Sequence, residues 1–232
     1  MHALITGGSK GIGRATAERF AAAGFDLWIC ARGESELLEL GTAITAKYPV
    51  EVHTSVTDVA DADALRQLGA AVSAHWNYLD VLVNNAGLFR MGRMLDEDES
   101  NLIDMMNVNV LAPYRLVRAV LPLLRTSEQA TVINVGSVAG KQPFLDSGSY
   151  SITKYALLGF THNLREELKS EGIRVSAVLP GATYTASWDG VEVDPERIMR
   201  PEAIANAIYS CHTVGPSATV EELLVRPNLG DL

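Results

Sequence analysis

Short apolar runs alternate with amphipathic stretches along the whole chain. Several apolar runs are nearly continuous in Val, Ile and Leu, which is typical of parallel strands covered on both faces. Between them, apolar residues recur with helical spacing, and the first such stretch ends at Gly24. Strands are predicted over residues 2–6, 26–31, 51–56, 80–83, 131–135, 174–179 and 221–225. Helices are predicted over residues 12–23, 34–47, 61–75, 97–124, 149–171 and 201–211.

This alternation predicts a doubly wound α/β sheet of about seven parallel strands with helices on both faces. The sequence shows no internal repeat, low-complexity tract or linker, so we expect residues 1–232 to form a single domain. Residues 182–200 are rich in turn formers and follow a strand's carboxyl end, where open sheets bind ligands. We expect a substrate loop there, although an ordinary surface connection also fits most of its residues.

The composition narrows the functional classes. The 232 residues are 47% hydrophobic and 20% charged, as in globular proteins with a sizeable core. A net charge of −9 and a pI near 5.0 argue against a general binder of nucleic acid or anionic membranes. No apolar run approaches the ~18 residues of a membrane-spanning helix. The chain also starts directly on a strand-like segment, so we expect a cytoplasmic protein.

Cysteine and histidine usage indicates neither a disulfide framework nor a metal centre. Cys30 and Cys211 lie in apolar segments and are expected to pack as small hydrophobic residues. The five histidines are scattered without the spacing of metal ligands, so no metal site is predicted.

The segment Tyr150-Ser151-Ile152-Thr153-Lys154 places a phenol and an ammonium group one helical turn apart. A lysine beside a tyrosine favours the phenolate, so the pKa of Tyr150 is expected to fall below its ordinary value of about 10. Such a phenol can exchange a proton with a carbonyl or an alcohol near neutral pH. By itself the pair also fits a solvated helix face.

Residues 6–13, with the sequence Thr-Gly-Gly-Ser-Lys-Gly-Ile-Gly, join the first predicted strand to the first predicted helix. Glycines allow a tight turn and close backbone approach, and the helix N-terminus offers free N–H groups to a phosphate. The spacing differs from the general Gly-x-Gly-x-x-Gly fingerprint, but its place between strand and helix favours a dinucleotide. The predicted cofactor contacts in this turn are Gly7, Ser9, Lys10, Gly11, Ile12 and Gly13.

The end of the second predicted strand should decide which nicotinamide nucleotide binds. An acidic residue there would bind the ribose 2′-hydroxyl, whereas an arginine would accept a 2′-phosphate. The strand ends Cys30-Ala31-Arg32 without a carboxylate, and Lys10 lies in the glycine turn, so two cations can converge on one phosphate. We therefore predict NADP(H), although both cations also fit as solvated side chains at loop edges.

Two further strand ends carry candidate cofactor contacts. Asp58 and Val59 follow the third predicted strand, where the Asp58 carboxylate could accept a hydrogen bond from adenine or cap a helix. Asn85, Ala86 and Gly87 follow the fourth strand, where small and amide-bearing residues can tie neighbouring strands and leave room for a cofactor. A turn is the alternative for this second segment.

Together these segments resemble the short-chain dehydrogenase/reductase family in order and spacing over nearly the whole chain. The resemblance implies a Rossmann-type fold of seven parallel strands, hydride transfer with NAD(P), and a homodimer or homotetramer. The basic pair in the nucleotide half is similar to that of NADP-preferring members. The resemblance is carried by residues 6–13 and 84–87, Asn109, Ser137, Tyr150, Lys154, Pro180 and Gly181.

The resemblance also implies residue roles. Tyr150 would protonate a carbonyl oxygen during reduction, and Lys154 would lower its pKa and bind the nicotinamide ribose. Ser137 would hold the substrate oxygen beside Tyr150. Gly136 stands where the family usually has a second serine, a departure that leaves the Ser137 hydroxyl intact. The residues implied beside the nicotinamide and the phosphates are Pro180, Gly181, Thr183 and Thr185.

Asn109 precedes Pro113 by four residues in the helix predicted over residues 97–124. Proline lacks an N–H and its ring clashes with the carbonyl of residue i−4, so the Asn109 carbonyl is predicted to lose its helical partner. That carbonyl could then face a cavity and hold a water linked to Lys154, completing the proton relay that the resemblance implies. A simple kink at Pro113, or a helix that begins later, is the alternative.

The expected activity is NADPH-dependent reduction of a small or medium carbonyl compound. A 3-oxoacyl thioester is one substrate class, and a pterin is the other, because Tyr184, Trp188 and segment 220–227 are similar to bacterial sepiapterin-reductase-like members. A catalytically silent NADPH-binding regulator and an oligomeric scaffold are the non-enzymatic alternatives, and the intact catalytic set argues against the regulator. Candidates for the substrate wall, or for packing within a lid, are Phe89, Phe144, Leu145, Tyr184 and Trp188.

Overall fold

A sheet of seven parallel strands runs through the protein in the order β3-β2-β1-β4-β5-β6-β7. The computed structural model describes residues 1–185 and 194–230. The doubly wound parallel sheet predicted from the sequence is therefore confirmed. The strands are β1 His2–Thr6, β2 Asp26–Ala31, β3 Val52–Val56, β4 Val81–Asn84, β5 Thr131–Val135, β6 Arg174–Pro180 and β7 Glu222–Val225.

Helices connect successive strands, as right-handed crossovers between parallel strands require. The prediction of one helix over residues 97–124 is wrong in detail, because a π-helical turn, Asn107–Leu111, separates two α-helices there. Short 3₁₀ turns cover Val138–Gly140, Lys169–Glu171 and Pro195–Arg197. The α-helices are α1 Gly11–Ala21, α2 Glu34–Lys47, α3 Ala62–His75, α4 Glu99–Met106, α5 Ala112–Arg125, α6 Gly148–Leu168 and α7 Pro201–Thr213.

Two apolar cores, one on each face of the sheet, explain why the strands are apolar at nearly every position. Successive strand residues point to opposite faces, so Leu4 joins the core beneath α3, α5 and α6, whereas Ile5 joins the core beneath α1, α2 and α7. Leu82 and Val83 divide in the same way on the neighbouring strand β4. Both cysteines are free and buried, as expected for small hydrophobic residues.

The sheet order places a crevice at the carboxyl ends of β1 and β4. The chain moves outward from β1 to β3 and then returns to the other side of β1 as β4, so the connections diverge at this point. Open α/β sheets bind ligands at such a switch point. The candidate residues that follow β1, β4, β5 and β6 therefore meet at one edge of the sheet.

The helix N-termini differ in a way that bears on this crevice. Asp61 caps α3, since its Oδ1 accepts hydrogen bonds from the Asp63 and Ala64 N–H groups at 2.7 and 3.3 Å. Asp98 caps α4 in the same manner, at 2.8 Å from the Ser100 nitrogen. Helix α1, in contrast, has neither a side-chain cap nor an acidic residue in its first turn. Its N-terminal N–H groups remain available to an anion at the edge of the crevice.

No helix among residues 1–185 and 194–230 combines the length and apolarity needed to cross a bilayer.

Candidate active site

The glycine turn is fixed by a hydrogen-bond network that reaches across to β4. The Asn85 side chain donates from Nδ2 to the carbonyl oxygens of Thr6 and Gly7, at 2.9 and 3.1 Å. The Thr6 hydroxyl in turn accepts the backbone N–H groups of Asn85 and Ala86, both at 3.0 Å. Asn85 thus ties neighbouring strand ends, as predicted. We call residues 6–13 and 85–87 together the glycine wall.

Three glycines of this wall occupy positions that a side chain would block. Gly7 and Gly11 have φ values of 64° and 53°, in the left-handed region that favours glycine. A Cβ atom at Gly13 would lie only 2.2 Å from the Gly7 carbonyl oxygen. A Cβ atom at Gly11 would lie 3.1 Å from the Thr185 methyl group, so Thr185 packs against the turn. Together with the uncapped N-terminus of α1, this cradle fits a pyrophosphate.

The two basic residues predicted to bind a 2′-phosphate, Lys10 and Arg32, are arranged differently from the prediction. Lys10 lines the cleft, but its ammonium group forms an ion pair with Glu36 in the first turn of α2, at 2.9 Å between Nζ and Oε1. Arg32 is exposed and makes no hydrogen bond or ion pair with any described residue. Glu36 was missed by the sequence reasoning, although it lies only four residues beyond Arg32. The pKa of Glu36 is lowered, chiefly by its hydrogen bond with Lys10.

Asp58 and Val59 lie outside the lining of the cleft. The exposed Asp58 accepts a hydrogen bond from the Ala60 N–H at 2.9 Å, closing the short turn that leads to α3. The helix cap itself is Asp61 rather than Asp58. Val59 is 8% exposed and packs in the core beneath α3 and α5, so its side chain does not face a cofactor. Contact between either residue and adenine stays a prediction.

Tyr150, Ser137 and Lys154 meet at the carboxyl end of β5. Ser137 follows this strand, and its hydroxyl accepts the Ala139 N–H at 3.1 Å, which fixes the start of the 3₁₀ turn. The first turns of α6 carry Tyr150, which is hydrogen-bonded to Ser137, and Lys154 one turn later. Lys154 is buried, and its Nζ donates to the Val135 carbonyl at 3.1 Å. The sequence prediction that these three groups converge agrees with this geometry.

The prediction that the pKa of Tyr150 falls below its ordinary value is wrong in this structure. Burial raises the pKa of Tyr150 to about 12, and the opposing effect comes from the Ser137 hydrogen bond. Burial also lowers the pKa of Lys154 to about 8, because an ammonium group loses hydration inside the protein. The Lys154 nitrogen lies 5.5 Å from the centre of the Tyr150 ring. Desolvation of the phenol therefore outweighs the opposing hydrogen bond with Ser137.

Asn109 holds the π-helical turn against the catalytic helix. Its Oδ1 accepts the Leu88 N–H at 2.7 Å, while its Nδ2 donates to the Leu88 carbonyl at 2.9 Å and to the Thr153 hydroxyl at 3.0 Å. The buried amide thus acts as a clamp between the segment that follows β4 and helix α6, a role that the sequence reasoning missed. Pro113 has no N–H to offer the Asn109 carbonyl. A water held by that carbonyl and linked to Lys154 stays a prediction.

The segment after β6 closes the site from the far side. Gly181 donates its N–H to the Val225 carbonyl at 2.8 Å, and the Thr183 hydroxyl donates to the Gly181 carbonyl at 3.0 Å. The unusual glycine at position 136 also has a local reason, since a Cβ atom there would lie 2.6 Å from the Leu179 Cδ2. A serine at this position would require that leucine to move.

These elements enclose a cleft of about 690 Å³ that joins the glycine wall to the catalytic residues. Its outer side is an apolar rim, which we define as Phe89, Met91, Phe144 and Leu145, carried by the two segments 89–94 and 144–147. Phe89, Phe144 and Leu145 line the cleft as predicted, and the Phe89 ring meets the Tyr150 ring edge-on at 4.9 Å. Tyr184 is 61% exposed and does not line the cleft, so its predicted place in the substrate wall finds no support. Trp188 lies outside the described residues.

Most of the predicted site residues line this one cleft. The described exceptions are Ser9, Arg32, Asp58, Val59 and Tyr184. Asn109 also lies outside the lining and holds the Leu88 backbone, which lines the cleft, by a hydrogen bond. The predicted residues that do line it are Gly7, Lys10, Gly11, Ile12, Gly13, Asn85, Ala86, Gly87, Ser137, Phe144, Tyr150, Lys154, Pro180, Gly181, Thr183 and Thr185.

Comparison with known proteins places this geometry in context. The chain is 35% identical to sulfoacetaldehyde reductase 2 of Chromohalobacter salexigens over 95% of its own length and 85% of that protein. It is 30% identical to sepiapterin reductase of Chlorobaculum tepidum over 99% of the chain and 97% of that protein. The solved structure of L-sorbose reductase from Gluconobacter frateurii, complexed with NADPH and L-sorbose, matches with a TM-score of 0.90 and 27% identity, covering 97% and 95% of the two chains.

A family model described as short chain dehydrogenase matches residues 1–195. This match spans the glycine wall, the π-helical turn and the catalytic residues. Full-length relatives cover the remaining C-terminal part, including α7 and β7. The protein therefore belongs to the short-chain dehydrogenase family of oxidoreductases.

Proposed function

We propose that the protein is an NADPH-dependent reductase that acts on an uncharged carbonyl compound with a largely apolar body. The observation that carries this proposal is the meeting of a hydrogen-bonded Tyr150 and Ser137, a buried Lys154 and the glycine wall in one cleft. A phenol beside a dinucleotide cradle matches the needs of carbonyl reduction, which consumes one hydride and one proton.

The residues present fit the cofactor at both of its ends. The uncapped N-terminus of α1 would hold the pyrophosphate, and Thr185 packs against the same turn. Lys10 and Arg32 would bind the 2′-phosphate once Lys10 leaves Glu36. The NADPH bound to L-sorbose reductase supports the same cofactor for this chain. When bound, NADPH supplies the hydride.

The chain's own side chains supply the proton and stabilise the charges that its transfer creates. With a pKa raised to about 12, Tyr150 keeps its hydroxyl proton at neutral pH and can donate it to the carbonyl oxygen of a substrate. Ser137 would hold that oxygen beside the phenol and stabilise the negative charge that develops on it. Lys154, largely protonated below a pKa of about 8, would stabilise the phenolate left after donation.

The charge of the cleft argues for an uncharged substrate. Among the described residues that line it, the only cations are Lys10 at the adenosine end and Lys154 beneath the catalytic tyrosine. The two segments that carry the apolar rim add the Asp146 carboxylate to the lining, and their arginines, Arg90 and Arg93, lie outside the lining in ion pairs with Asp104 and Asp146. The sequence of residues 186–193 contains Asp189 and Glu192 but no lysine or arginine. Beyond Lys10 and Lys154, no described residue of the lining offers a cation to a sulfonate or carboxylate substrate.

A substrate panel tests the proposal. NADPH oxidation would be measured with apolar diketones, aromatic ketones, a 3-oxoacyl thioester, a pterin and sulfoacetaldehyde. We expect turnover of neutral carbonyl compounds, with kcat/KM for the anionic aldehyde lower by at least roughly tenfold. In Tyr150→Phe, turnover should fall by about 10²–10⁴-fold. Tyr78→Phe, which alters an exposed phenol outside the cleft, serves as the matched control and should keep full activity.

The outcomes separate the competing assignments. Tight NADPH binding without turnover of any carbonyl compound would favour a silent regulator and overturn the reductase. Highest kcat/KM for the thioester or the pterin would assign those substrate classes within the same chemistry. Highest kcat/KM for sulfoacetaldehyde would overturn the inference from charge while leaving the reductase intact.

We also propose a homodimer or homotetramer. Apolar side chains remain exposed on three neighbouring helices, namely Ile103 on α4, Tyr114 on α5, and Ile152 and Tyr155 on α6. An exposed apolar patch of this kind marks an interaction surface. Sedimentation velocity would show a dimer or larger, and a monomer at micromolar concentration would overturn the assignment. Cytoplasmic location and a single domain over residues 1–232 stay predictions.

A further inference from the structure

Two histidines and a carboxylate that are far apart in sequence meet at the outer edge of the sheet. Glu51 directly precedes β3, His53 lies on β3, and His75 is the last residue of α3. The Glu51 Oε1 lies 3.0 Å from the His53 Nε2 and 3.5 Å from the His75 Nε2. We propose that these three side chains form a binding site for a divalent transition metal, with Zn²⁺ as the best fit.

The distances match the coordination shell of zinc. Zinc–nitrogen and zinc–oxygen bonds of about 2.0–2.2 Å in tetrahedral geometry place neighbouring ligand atoms about 3.3–3.6 Å apart. The two distances to the Glu51 oxygen lie within a few tenths of an ångström of that separation, and all three ligand atoms lie within 4.8 Å of one another. One ion can therefore be held with only small side-chain movements. Two imidazoles and one carboxylate are a ligand set that zinc accepts, with water in the fourth position.

The state of the His53 ring is a second, independent observation. Its Nε2 is buried and has no hydrogen-bond partner among the described residues, although the Glu51 oxygen lies nearby. A buried ring nitrogen without a partner is costly unless something else binds it. Stacking on Trp28, with ring centres 4.8 Å apart, restrains the ring in this orientation. The nitrogen is thus held in the direction of the other two ligand atoms.

The surroundings favour a cation. The Glu51 Oε1 lies within 3.5 Å of both ring nitrogens, and the carboxylate forms no ion pair with a lysine or arginine of the described chain. His75 ends α3, and the C-terminus of a helix carries partial negative charge. The rings of His53 and His75 lie 4.1 Å apart, a contact that a shared ion would stabilise once both are neutral.

The position of this cluster indicates a structural role. Strand β3 is the last strand at its edge of the sheet, and the cluster lies at its amino end, whereas the cleft opens at the carboxyl ends. A bound ion would join this edge strand to the end of α3. Because such a site exists only in the folded chain, metal binding should raise the melting temperature.

The test uses the untagged full chain and Zn²⁺ alone. We expect saturable binding of one ion per chain by calorimetry and a rise in Tm that saturates at the same concentration. Co²⁺ should develop the visible absorption of a low-symmetry site, and Cu²⁺ should quench tryptophan emission, since Trp28 stacks on His53. His75→Gln and Glu51→Gln, which alter exposed side chains, should each weaken Zn²⁺ binding by at least roughly tenfold.

His162→Gln is the matched control. His162 is also exposed and lies 2.9 Å from a carboxylate, that of Glu222, but among the described residues it belongs to no group of three such ligand side chains. This variant should bind Zn²⁺ as the unmodified chain does. Absence of saturable binding would overturn the proposal, as would unchanged affinity in both His75→Gln and Glu51→Gln. An equal loss in His162→Gln would show that binding is spread over surface histidines and would also overturn it.

Discussion

The glycine wall and the apolar rim face each other across the cleft, but the first presents backbone and the second presents side chains. The glycine wall consists of backbone, held by hydrogen bonds from Asn85 and Thr6 and by contacts that leave no room for a Cβ atom. The rim presents side chains, with Met91 and Leu145 exposed by 70% and 75%. An isolated bridge between Gly92 and Ser147 joins its two segments. The cofactor side therefore tolerates little change, whereas the substrate side can be altered one side chain at a time.

The largest effect should come from placing a methyl group in the glycine wall. In Gly13→Ala the new Cβ atom would approach the Gly7 carbonyl to 2.2 Å, and backbone cannot move aside as a side-chain tip can. Overpacking of about 2–3 kcal/mol would raise the Kd for NADPH by roughly 30- to 150-fold. Fluorescence titration with NADPH measures this change.

Gly159→Ala is the control for that substitution. Gly159 lies within α6 and a Cβ atom there would meet nothing within 4 Å, so the same chemical change should leave NADPH binding intact. Alanine should also stabilise the helix by about 0.5–1 kcal/mol. Unchanged NADPH affinity in Gly13→Ala would show that the turn is less rigid than described.

A substitution in the rim should act on the substrate and leave the cofactor alone. Leu145→Ser removes apolar surface from the cleft without touching the glycine wall. For an apolar ketone, kcat/KM should fall by about five- to tenfold, because one lost hydrophobic contact is worth about 1 kcal/mol here. Steady-state kinetics with varied ketone and varied NADPH would separate the effects. A comparable rise in the KM for NADPH would contradict the division between the two walls.

The ion pair between Lys10 and Glu36 gives a test of cofactor choice on the side of the glycine wall. Glu36→Gln should break the ion pair with Lys10 and remove a carboxylate from the neighbourhood of a 2′-phosphate. The KM for NADPH should then fall by a few-fold, with no change for NADH, and the difference should shrink at high salt. Glu34→Gln, in the same helical turn, is the control. Equal changes for both nucleotides would contradict a role for this pair in cofactor choice.

The smallest effect is spectroscopic and concerns the tyrosine between the walls. Because burial raises the pKa of Tyr150 to about 12, this residue should stay protonated as pH rises from 7 to 10. The near-ultraviolet difference between the unmodified chain and Tyr150→Phe, titrated without nucleotide, should show no tyrosinate in that range. A tyrosinate signal with a midpoint below pH 10 would restore the view that Lys154 lowers this pKa.

The structural features that could be predicted from the sequence are those that depend on backbone chemistry or on a fixed spacing of residues. Apolar runs predicted all seven strands, because strands covered on both faces have no polar side. The glycine turn was predicted from its place between strand and helix. Tyr150 and Lys154 were paired by helical spacing, and Ser137 was added from the family resemblance.

Features that depend on distant contacts were not predicted. The clamp made by Asn109 needs Leu88 and Thr153, which only the folded chain brings together. Glu36 reaches Lys10 across two connections, and no pattern along the chain indicates that pairing. The sign of the Tyr150 pKa shift depends on burial, which a spacing rule does not report.

The π-helical turn has a consequence for how this chain tolerates changes in length. Each residue of an α-helix turns the chain by about 100°, so one residue more or less rotates everything that follows. A π turn holds one residue more than an α turn, so a single deletion within Asn107–Leu111 would be absorbed by a change to α, whereas an insertion would turn α5 about its axis and carry Leu116 and Val120 away from the sheet. Insertions should therefore be excluded from this turn among homologous chains.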